Sequence, residues 1–350
     1  MIALDAKNAP AFYDRGVAFR RKGDLDHAIA DYDAAIALDP ANAGAFFARA
    51  IAWKAKGDLD RAAADYGAAI RHDPHDASAL MGRAEVLSRK GDLDGAIADY
   101  DAVIARDARN ARAFAGRALA WQRKHDLDRA IADYDAAIRL DPKDARALRN
   151  RAIAWAAKGD PDHAIADNTQ ATTLDPTDAG AFLDLADGLL KKGALDRAIA
   201  AYGQAIAADP KRVTAYANRG VAWTRKGDYD RAIADFDAAI GLRPADAMAH
   251  FGRGVAWRRK GDLDRAAANY DQAIALAPDL APAYFNRGLV RAAKGSLAGA
   301  IADFDQTIKL RPADADAYYN RGLAKQRQGN ITDGDADVAA ARKLKPDIGK

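Results

Sequence analysis

An arginine recurs in the sequence at intervals of thirty-four residues, and a regular row of guanidinium groups could bind carboxylates or phosphates. The row consists of Arg15, Arg49, Arg83, Arg117, Arg151, Arg219, Arg253, Arg287 and Arg321. An aspartate follows eight of these arginines after sixteen residues, at Asp31, Asp65, Asp99, Asp133, Asp167, Asp235, Asp303 and Asp337. Where the row is interrupted, Leu185 replaces the arginine and Ala201 replaces the acid. Because a partly buried charge is costly without its partner, this joint loss favours a structural ion pair, with a ligand site as the alternative.

Other residue types that serve catalysis or metal binding follow no pattern in the sequence. Cysteine is absent, and the six histidines share no common position: His27, His72, His75, His125, His163 and His250. The sequence contains no His-Glu-x-x-His motif, phosphate-binding loop or dinucleotide fingerprint. It therefore predicts a protein that is not an enzyme, without catalytic residues, cofactors or a metal site.

Five tryptophans form a second row with the same spacing: Trp53, Trp121, Trp155, Trp223 and Trp257. An aromatic row of this kind could stack on nucleic-acid bases or bind a proline-rich peptide. Leu87 and Leu189 occupy the equivalent place elsewhere in the chain. Since leucine can replace the ring, we expect the tryptophans to pack in the core.

Both rows arise from a unit of thirty-four residues that is repeated ten times. The copies begin at Ala9, Ala43, Ala77, Ala111, Ala145, Ala179, Val213, Ala247, Ala281 and Ala315. Within each copy, small and apolar residues recur at helical spacing in two runs, which a Lys-Gly-Asp stretch separates in most copies. The glycine can end the first helix in a left-handed conformation, and the aspartate can cap the second. Each copy is thus predicted to be a helical hairpin, helix A followed by helix B, and the whole an all-α solenoid.

The unbroken register predicts a single solenoid domain over residues 1–350. At its start, residues 2–8 match residues 36–42, which indicates that 1–8 is the remnant of a preceding repeat and that the chain is a fragment or begins late. In the tenth copy Gly334, Asp335 and Arg342 replace small or apolar residues. We therefore expect the last helix to form a polar cap.

Charge and hydropathy narrow the choice of partner and compartment. Lysine and arginine number 53 and aspartate and glutamate 50, so the net charge of +3 gives no overall attraction to nucleic acid or anionic membranes. Aspartates also lie close to the basic pairs, as Asp228 does after Arg225 and Lys226. No signal peptide and no apolar run approaching ~18 residues is present. We expect a soluble cytoplasmic protein that binds neither membranes nor nucleic acid; nothing in the sequence indicates its oligomeric state.

The repeat resembles the tetratricopeptide repeat (TPR) family along essentially the whole chain. In the copy that begins at Val213, the residues of the family signature are Tyr216, Gly220, Trp223, Ala232, Phe236, Ala239 and Pro244. The arginine row is a departure, because the signature has an apolar residue there. The resemblance implies an alpha-alpha superhelix of ten hairpins, in which the A helices line a concave groove that binds partner proteins.

By the same resemblance, places 2, 5, 6, 9 and 12 of each copy face the groove; we refer to these as the groove positions. The candidate partner-binding residues are Phe47, Arg149, Asn150, Asp184, Asp187, Asn218, Phe251, Phe285, Asn286, Tyr319 and Asn320. An apolar floor with amide groups suits an extended peptide or an amphipathic helix, and ordinary packing between repeats is the alternative. Copies five and six depart most from the pattern, which indicates either a weakly packed hinge or, through Asp184 and Asp187, a contact for a basic peptide.

Two functions are compatible with this pattern. The first is a protein–protein interaction scaffold or adaptor that binds a partner peptide or helix in its groove. The second is the substrate-recruiting arm of an enzyme, for example a protein glycosyltransferase, whose catalytic part lies outside this chain. A catalytic domain encoded beside this sequence would support the second function, and stop codons on both sides would support the first.

Overall fold

The computed structural model describes residues 7–349, which form twenty α-helices and no strand. The chain divides into two compact units, Met1–Asp175 and Pro176–Lys350. The first unit contains α1 (Ala9–Arg21), α2 (Leu25–Leu38), α3 (Ala43–Lys56), α4 (Leu59–His72), α5 (Ala77–Lys90), α6 (Leu93–Arg106), α7 (Ala111–Arg123), α8 (Leu127–Leu140), α9 (Ala145–Lys158) and α10 (Pro161–Leu174). The second contains α11 (Ala179–Lys191), α12 (Leu195–Ala208), α13 (Val213–Lys226), α14 (Tyr229–Leu242), α15 (Ala247–Lys260), α16 (Leu263–Leu276), α17 (Ala281–Ala293), α18 (Leu297–Leu310), α19 (Ala315–Arg327) and α20 (Ile331–Leu344).

The odd-numbered helices are the predicted A helices, and each begins at the first residue of its repeat. This agreement confirms the ten helical hairpins. The interpretation of residues 1–8 as a remnant falls mainly on residues 1–6, which lie outside the described part of the chain. Asn8 caps α1, since its side-chain oxygen accepts a hydrogen bond from the Ala11 amide at 3.0 Å.

The turn inside each hairpin follows from its glycine and its aspartate. After α13, Gly227 adopts a left-handed conformation with φ of 90°, and the side chain of Asp228 accepts a hydrogen bond from the Arg231 amide at 3.1 Å. Pro161 occupies the first position of α10 directly after the capping residue Asp160, where proline is favoured. In the fourth repeat His125 takes the place of the glycine and has φ of 61°.

His125 is the single non-glycine residue with positive φ in residues 7–349, and we expect its replacement by glycine to stabilise the protein. A left-handed conformation costs a residue with a Cβ atom about 1–2 kcal/mol. The change His125→Gly should therefore raise the free energy of unfolding by about 1 kcal/mol, measured by urea denaturation. His27→Gly, in the first turn of α2, is the control and should lower it. If His125→Gly lowered the free energy of unfolding, the backbone of His125 would not be strained in its left-handed conformation.

In most repeats, an aromatic residue of helix B fills the centre. Tyr66 is 1% exposed and packs among Ala50, Ala62, Ala69 and Ala79, whose small side chains let the helices approach closely. The equivalent residues Tyr32, Tyr134, Tyr202, Phe236, Tyr270 and Phe304 are also fully buried. Burial raises the pKa of Tyr66 to about 12, so its hydroxyl stays protonated at neutral pH.

The helices form two layers in each unit. Every helix A packs against helix B of its own repeat, and helix B packs against the next helix A of the unit. Successive A helices also touch one another, as α3 and α5 or α13 and α15 do, whereas no two B helices are in contact among the helices described. We refer to the layer of A helices, in which successive helices meet, as the inner layer.

The last repeat ends in a segment that covers its A helix. Ile348 is 6% exposed and packs with Ala315 and Ala341 against Tyr318 and Tyr319. In α20, Asp335 and Arg342 are exposed, as expected for a polar cap. Gly334 is buried instead, because α20 approaches α19 so closely that a Cβ atom there would lie 2.8 Å from the Gly322 carbonyl oxygen.

Candidate partner-binding surface

The arginine row forms ion pairs inside the repeats. Arg219 donates from Nε to Asp235 Oδ2 at 2.8 Å and from Nη2 to Asp235 Oδ1 at 2.7 Å. Asp235 is only 6% exposed, and its hydrogen bond raises the pKa of the Arg219 guanidinium. The same two-bond arrangement joins Arg15–Asp31, Arg49–Asp65, Arg83–Asp99, Arg117–Asp133, Arg151–Asp167, Arg287–Asp303 and Arg321–Asp337. The predicted structural ion pair is therefore confirmed.

The remaining arginine nitrogen, Nη1, extends this pairing to the preceding repeat. Arg151 Nη1 donates to Asp135 of α8 at 2.6 Å. The other pairs of this kind are Arg49–Asp33, Arg117–Asp101, Arg253–Asp237, Arg287–Asp271 and Arg321–Asp305. Aspartates sixteen residues before these arginines are the signal in the sequence from which this second contact could have been predicted. Internal carboxylates thus occupy most of the row.

The tryptophan row lies at the rim of the core. All five indoles are half-buried, so the expected core packing holds for part of each ring only. Trp121 packs against the core of its repeat, while the guanidinium of Arg129 lies 3.9 Å from the centre of its ring. In the fifth repeat His163 stacks on Trp155 with the ring centres 4.7 Å apart. Basic side chains of the same hairpin therefore cover part of each ring, and the rest stays exposed.

The basic pairs at the ends of the A helices separate into two groups. The lysine binds an aspartate of the preceding repeat: Lys56–Asp26, Lys90–Asp60, Lys124–Asp94, Lys158–Asp128, Lys226–Asp196, Lys260–Asp230 and Lys294–Asp264. The preceding arginine has another environment. Arg225 and Arg259 are exposed and line a cavity beside the groove positions. The two groups therefore differ in their partners, since the lysines are paired with carboxylates and these two arginines are exposed at the cavity.

A cavity of about 530 Å³ in the first unit is lined mainly by residues of α3 and α5. The candidate Phe47 forms part of its wall and packs edge-on against Tyr66, with the ring centres 5.7 Å apart. Lys54 donates to Glu85 at 3.0 Å inside the lining. This cavity combines apolar walls with a charge pair that is already neutralised.

A second cavity, of about 480 Å³, lies between α13 and α15 in the second unit. The candidate Phe251 lines it together with Phe236, Val221 and Val255. Met248, at its edge, is 59% exposed. The cavity is thus a mainly apolar recess on the inner helix layer, with the two arginines at its margin.

Two other candidates lie together in the second unit. The Asp187 carboxylate accepts a hydrogen bond from Asn218 Nδ2 at 3.0 Å and another from the Tyr202 hydroxyl. Burial first, and the Asp187 carboxylate second, raise the pKa of Tyr202. Asp187 and Asn218 therefore join neighbouring repeats.

The remaining candidates have separate environments. Asn286 and Asn320 donate to carbonyl groups of their own helices, those of Pro282 and Asp316, at 2.8 and 2.7 Å. Tyr319 is covered by the C-terminal segment around Ile348. The other four candidates are half-buried: Arg149, Asn150, Asp184 and Phe285. Of these, Phe285 packs against Phe304.

Exposed apolar side chains occur at groove position 9 in both units. Leu119, Ile153 and Leu323 are 40%, 39% and 36% exposed.

Within residues 7–349 no group of acidic or histidine side chains has a metal-binding arrangement. No helix there is long and apolar enough to cross a membrane.

Comparison with solved structures identifies the fold. A tetratricopeptide repeat protein from Parabacteroides merdae ATCC 43184 is 20% identical, with a TM-score of 0.50 over 71% of this chain and 98% of that one. A chain of the APC/C hetero-tetramer Cut9–Hcn1 is 17% identical, with a TM-score of 0.52 over 97% of this chain and 74% of that one. PilW, a type IV pilus biogenesis factor, is 20% identical, with a TM-score of 0.54 over 59% of this chain and 95% of that one.

Sequence comparison places the chain in a family. No curated protein sequence matches it significantly. The tetratricopeptide repeat profile matches residues 47–111, 84–132, 115–179, 183–247 and 224–281, more than half of the chain. A second profile, described as TPR repeat, matches residues 16–57 and 288–329. With ten helical hairpins that keep one register of thirty-four residues, this chain belongs to the tetratricopeptide repeat family.

Proposed function

We propose that this chain is a protein–protein interaction scaffold that binds an extended peptide or an amphipathic helix of a partner protein on the inner face of its A helices. The observation that carries the proposal is the pair of cavities at the groove positions, one in each unit, around Phe47 and Phe251. Apolar recesses with a few polar groups are typical of ligand-binding surfaces. We place the protein in the cytoplasm and treat residues 1–350 as one solenoid.

The different contacts of the repeated rows and of the groove positions support this assignment. The arginine, lysine and tryptophan rows make their contacts within or between hairpins, as Arg219, Lys226 and Trp223 do. The apolar side chains at the groove positions remain partly accessible instead, with Met248 as the most exposed. A folded chain that leaves such side chains accessible on its inner layer can bury them against a partner.

The test is affinity capture with the complete chain as bait. A variant with Met248→Ala, Phe251→Ala and Val255→Ala removes the apolar wall of the second cavity. The control variant Leu242→Ala/Leu276→Ala removes leucines that are 43% and 41% exposed at the ends of B helices. We expect a partner that wild type and control retain and that the cavity variant loses. Capture of the same proteins by all three, with native circular dichroism, would overturn the assignment to this face.

A further inference from the structure

We infer that the cavity between α13 and α15 binds an acidic peptide, with an apolar side chain of the ligand in the cavity and flanking aspartate or glutamate carboxylates on Arg225 and Arg259. This inference rests on the proposed function and specifies the chemistry of its ligand. It follows from the charges around the cavity, from the shape and character of its walls, and from comparison with the cavity of the first unit.

The charge at the margin of this cavity is positive and uncompensated. Arg225 and Arg259 line it, and no acidic residue does. Within residues 7–349 neither arginine has a carboxylate partner, and Arg225 donates one long hydrogen bond of 3.4 Å to the Leu190 carbonyl oxygen. The adjacent lysines, Lys226 and Lys260, are each bound to an aspartate. Since the adjacent lysines are paired and these two guanidiniums lack a carboxylate, they can bind an incoming one.

The walls of the cavity select for an apolar side chain. Val221, Phe236, Phe251 and Val255 form its floor, and its volume of about 480 Å³ lies within the range of small-ligand sites. Met248 stands at the edge with more than half of its surface exposed. An unbranched thioether side chain adapts its shape to different apolar partners. A ligand must therefore supply apolar surface and negative charge together.

The cavity of the first unit shows that the positive margin is particular to the second. There, Lys54 is paired with Glu85 at 3.0 Å, so one of its two cations already has an internal carboxylate. Glu85 is also the only glutamate of the chain. We therefore assign the preference for acidic peptides to the second cavity alone.

A nucleic-acid backbone fits this surface less well than a peptide. Asp228 and Asp262 cap the next helix two residues after each basic pair ends, so the cations do not form a continuous track for phosphates. Apart from Thr224 and Tyr229 and the two arginines, the lining has no polar side chain to hydrogen-bond a base, whereas a leucine or phenylalanine side chain would be buried on its apolar floor.

The experiment uses the complete chain and three fluorescent twelve-residue peptide sets. Each set has a central leucine or phenylalanine, flanked by aspartate and glutamate, by serine, or by lysine. Binding is measured by fluorescence anisotropy at low and high salt for wild type, for Arg225→Gln/Arg259→Gln and for Phe251→Ala. The matched control is Lys226→Gln/Lys260→Gln, which removes the same charge from the neighbouring positions. Circular dichroism melts verify that each variant is folded.

We expect the acidic set to bind most tightly, and less tightly at high salt. Arg225→Gln/Arg259→Gln should weaken its binding by at least about tenfold, since each lost bond is to a charged group. The lysine control should change affinity by less than about twofold. Equal affinity for the three sets, abolished by Phe251→Ala, would overturn the acidic preference and leave the proposed function intact. Failure of all three sets to bind would reject peptide binding at this cavity, and an oligonucleotide that binds more tightly than the acidic set would also overturn the inference.

Discussion

Replacing Arg219 by leucine alone is expected to destabilise the protein by about 3 kcal/mol, whereas replacing Arg219 by leucine and Asp235 by alanine together should cost about 1 kcal/mol. The single change leaves the Asp235 carboxylate, which is 6% exposed, without its two hydrogen bonds. Removing one partner of a buried ion pair costs about 3–5 kcal/mol because a charge stays buried without compensation. The double change removes that charge as well.

Arg219 is the most suitable member of the row for this test because its ion pair is isolated. Its Nη1 faces Gly203, where most other members of the row meet an aspartate of the preceding repeat. The change therefore affects one carboxylate only. The protein already contains the double replacement at the equivalent place of the sixth repeat, as Leu185 and Ala201, which are 8% and 7% exposed.

Urea unfolding of the two single variants, the double variant and wild type gives the coupling energy of the pair. Because a repeat protein unfolds by parts, amide hydrogen exchange in α13 and α14 should be followed as a local measure. A double variant as unstable as the sum of the single variants would reject the ion pair as a stabilising contact. Asp237→Ala serves as the control, because this acid is half-exposed and its loss should cost less than about 1 kcal/mol.

The positions of the helices could be predicted from the sequence because the signals that define them are local. Gly227 ends helix A through its own backbone conformation, and Asp228 caps helix B through its own side chain. Ten copies repeat these signals, so that an exception such as His125 could be assigned by its position. The pairing of Arg219 with Asp235 could also be predicted, since the one copy that lacks the arginine, with Leu185, also lacks the acid, with Ala201.

The candidate surface was harder to predict because neighbouring residues of one repeat face different partners. Arg225 and Lys226 follow each other in the chain, yet Lys226 binds Asp196 of the preceding repeat and Arg225 lines a cavity. Helical periodicity assigns both to the same end of helix A. The cavity itself lies between successive hairpins, so its walls depend on how close α13 and α15 approach, which no pattern within one copy determines. The role of all eleven candidates as groove residues stays a prediction.

The tryptophans show the same difference between residue type and environment. A row of large aromatic residues that leucine can replace indicates a core, yet each indole is half-buried. The fully buried position belongs to the tyrosine or phenylalanine of helix B. In the fourth repeat, Tyr134 is 0% exposed and packs with Ala118, Ala130 and Ala147, and Ala147 belongs to the next hairpin. This residue therefore joins two repeats, whereas Trp121 contacts basic residues of its own turn.

We accordingly expect Tyr134→Ala to destabilise the protein by about 3–5 kcal/mol, because it opens a cavity between two hairpins. It also leaves Gln122 without the hydroxyl that donates to its side-chain oxygen at 2.9 Å. Trp121→Ala should cost only about 1–2 kcal/mol, since part of the ring is already solvated and its contact with Arg129 is worth less than 1 kcal/mol. Urea unfolding of both variants measures the difference, and Tyr134→Phe, which keeps the ring, should cost about 1 kcal/mol. If Trp121→Ala proved as costly as Tyr134→Ala, the indole would be a core residue of equal weight, and stability would depend on the rim of each hairpin as much as on the contact between hairpins.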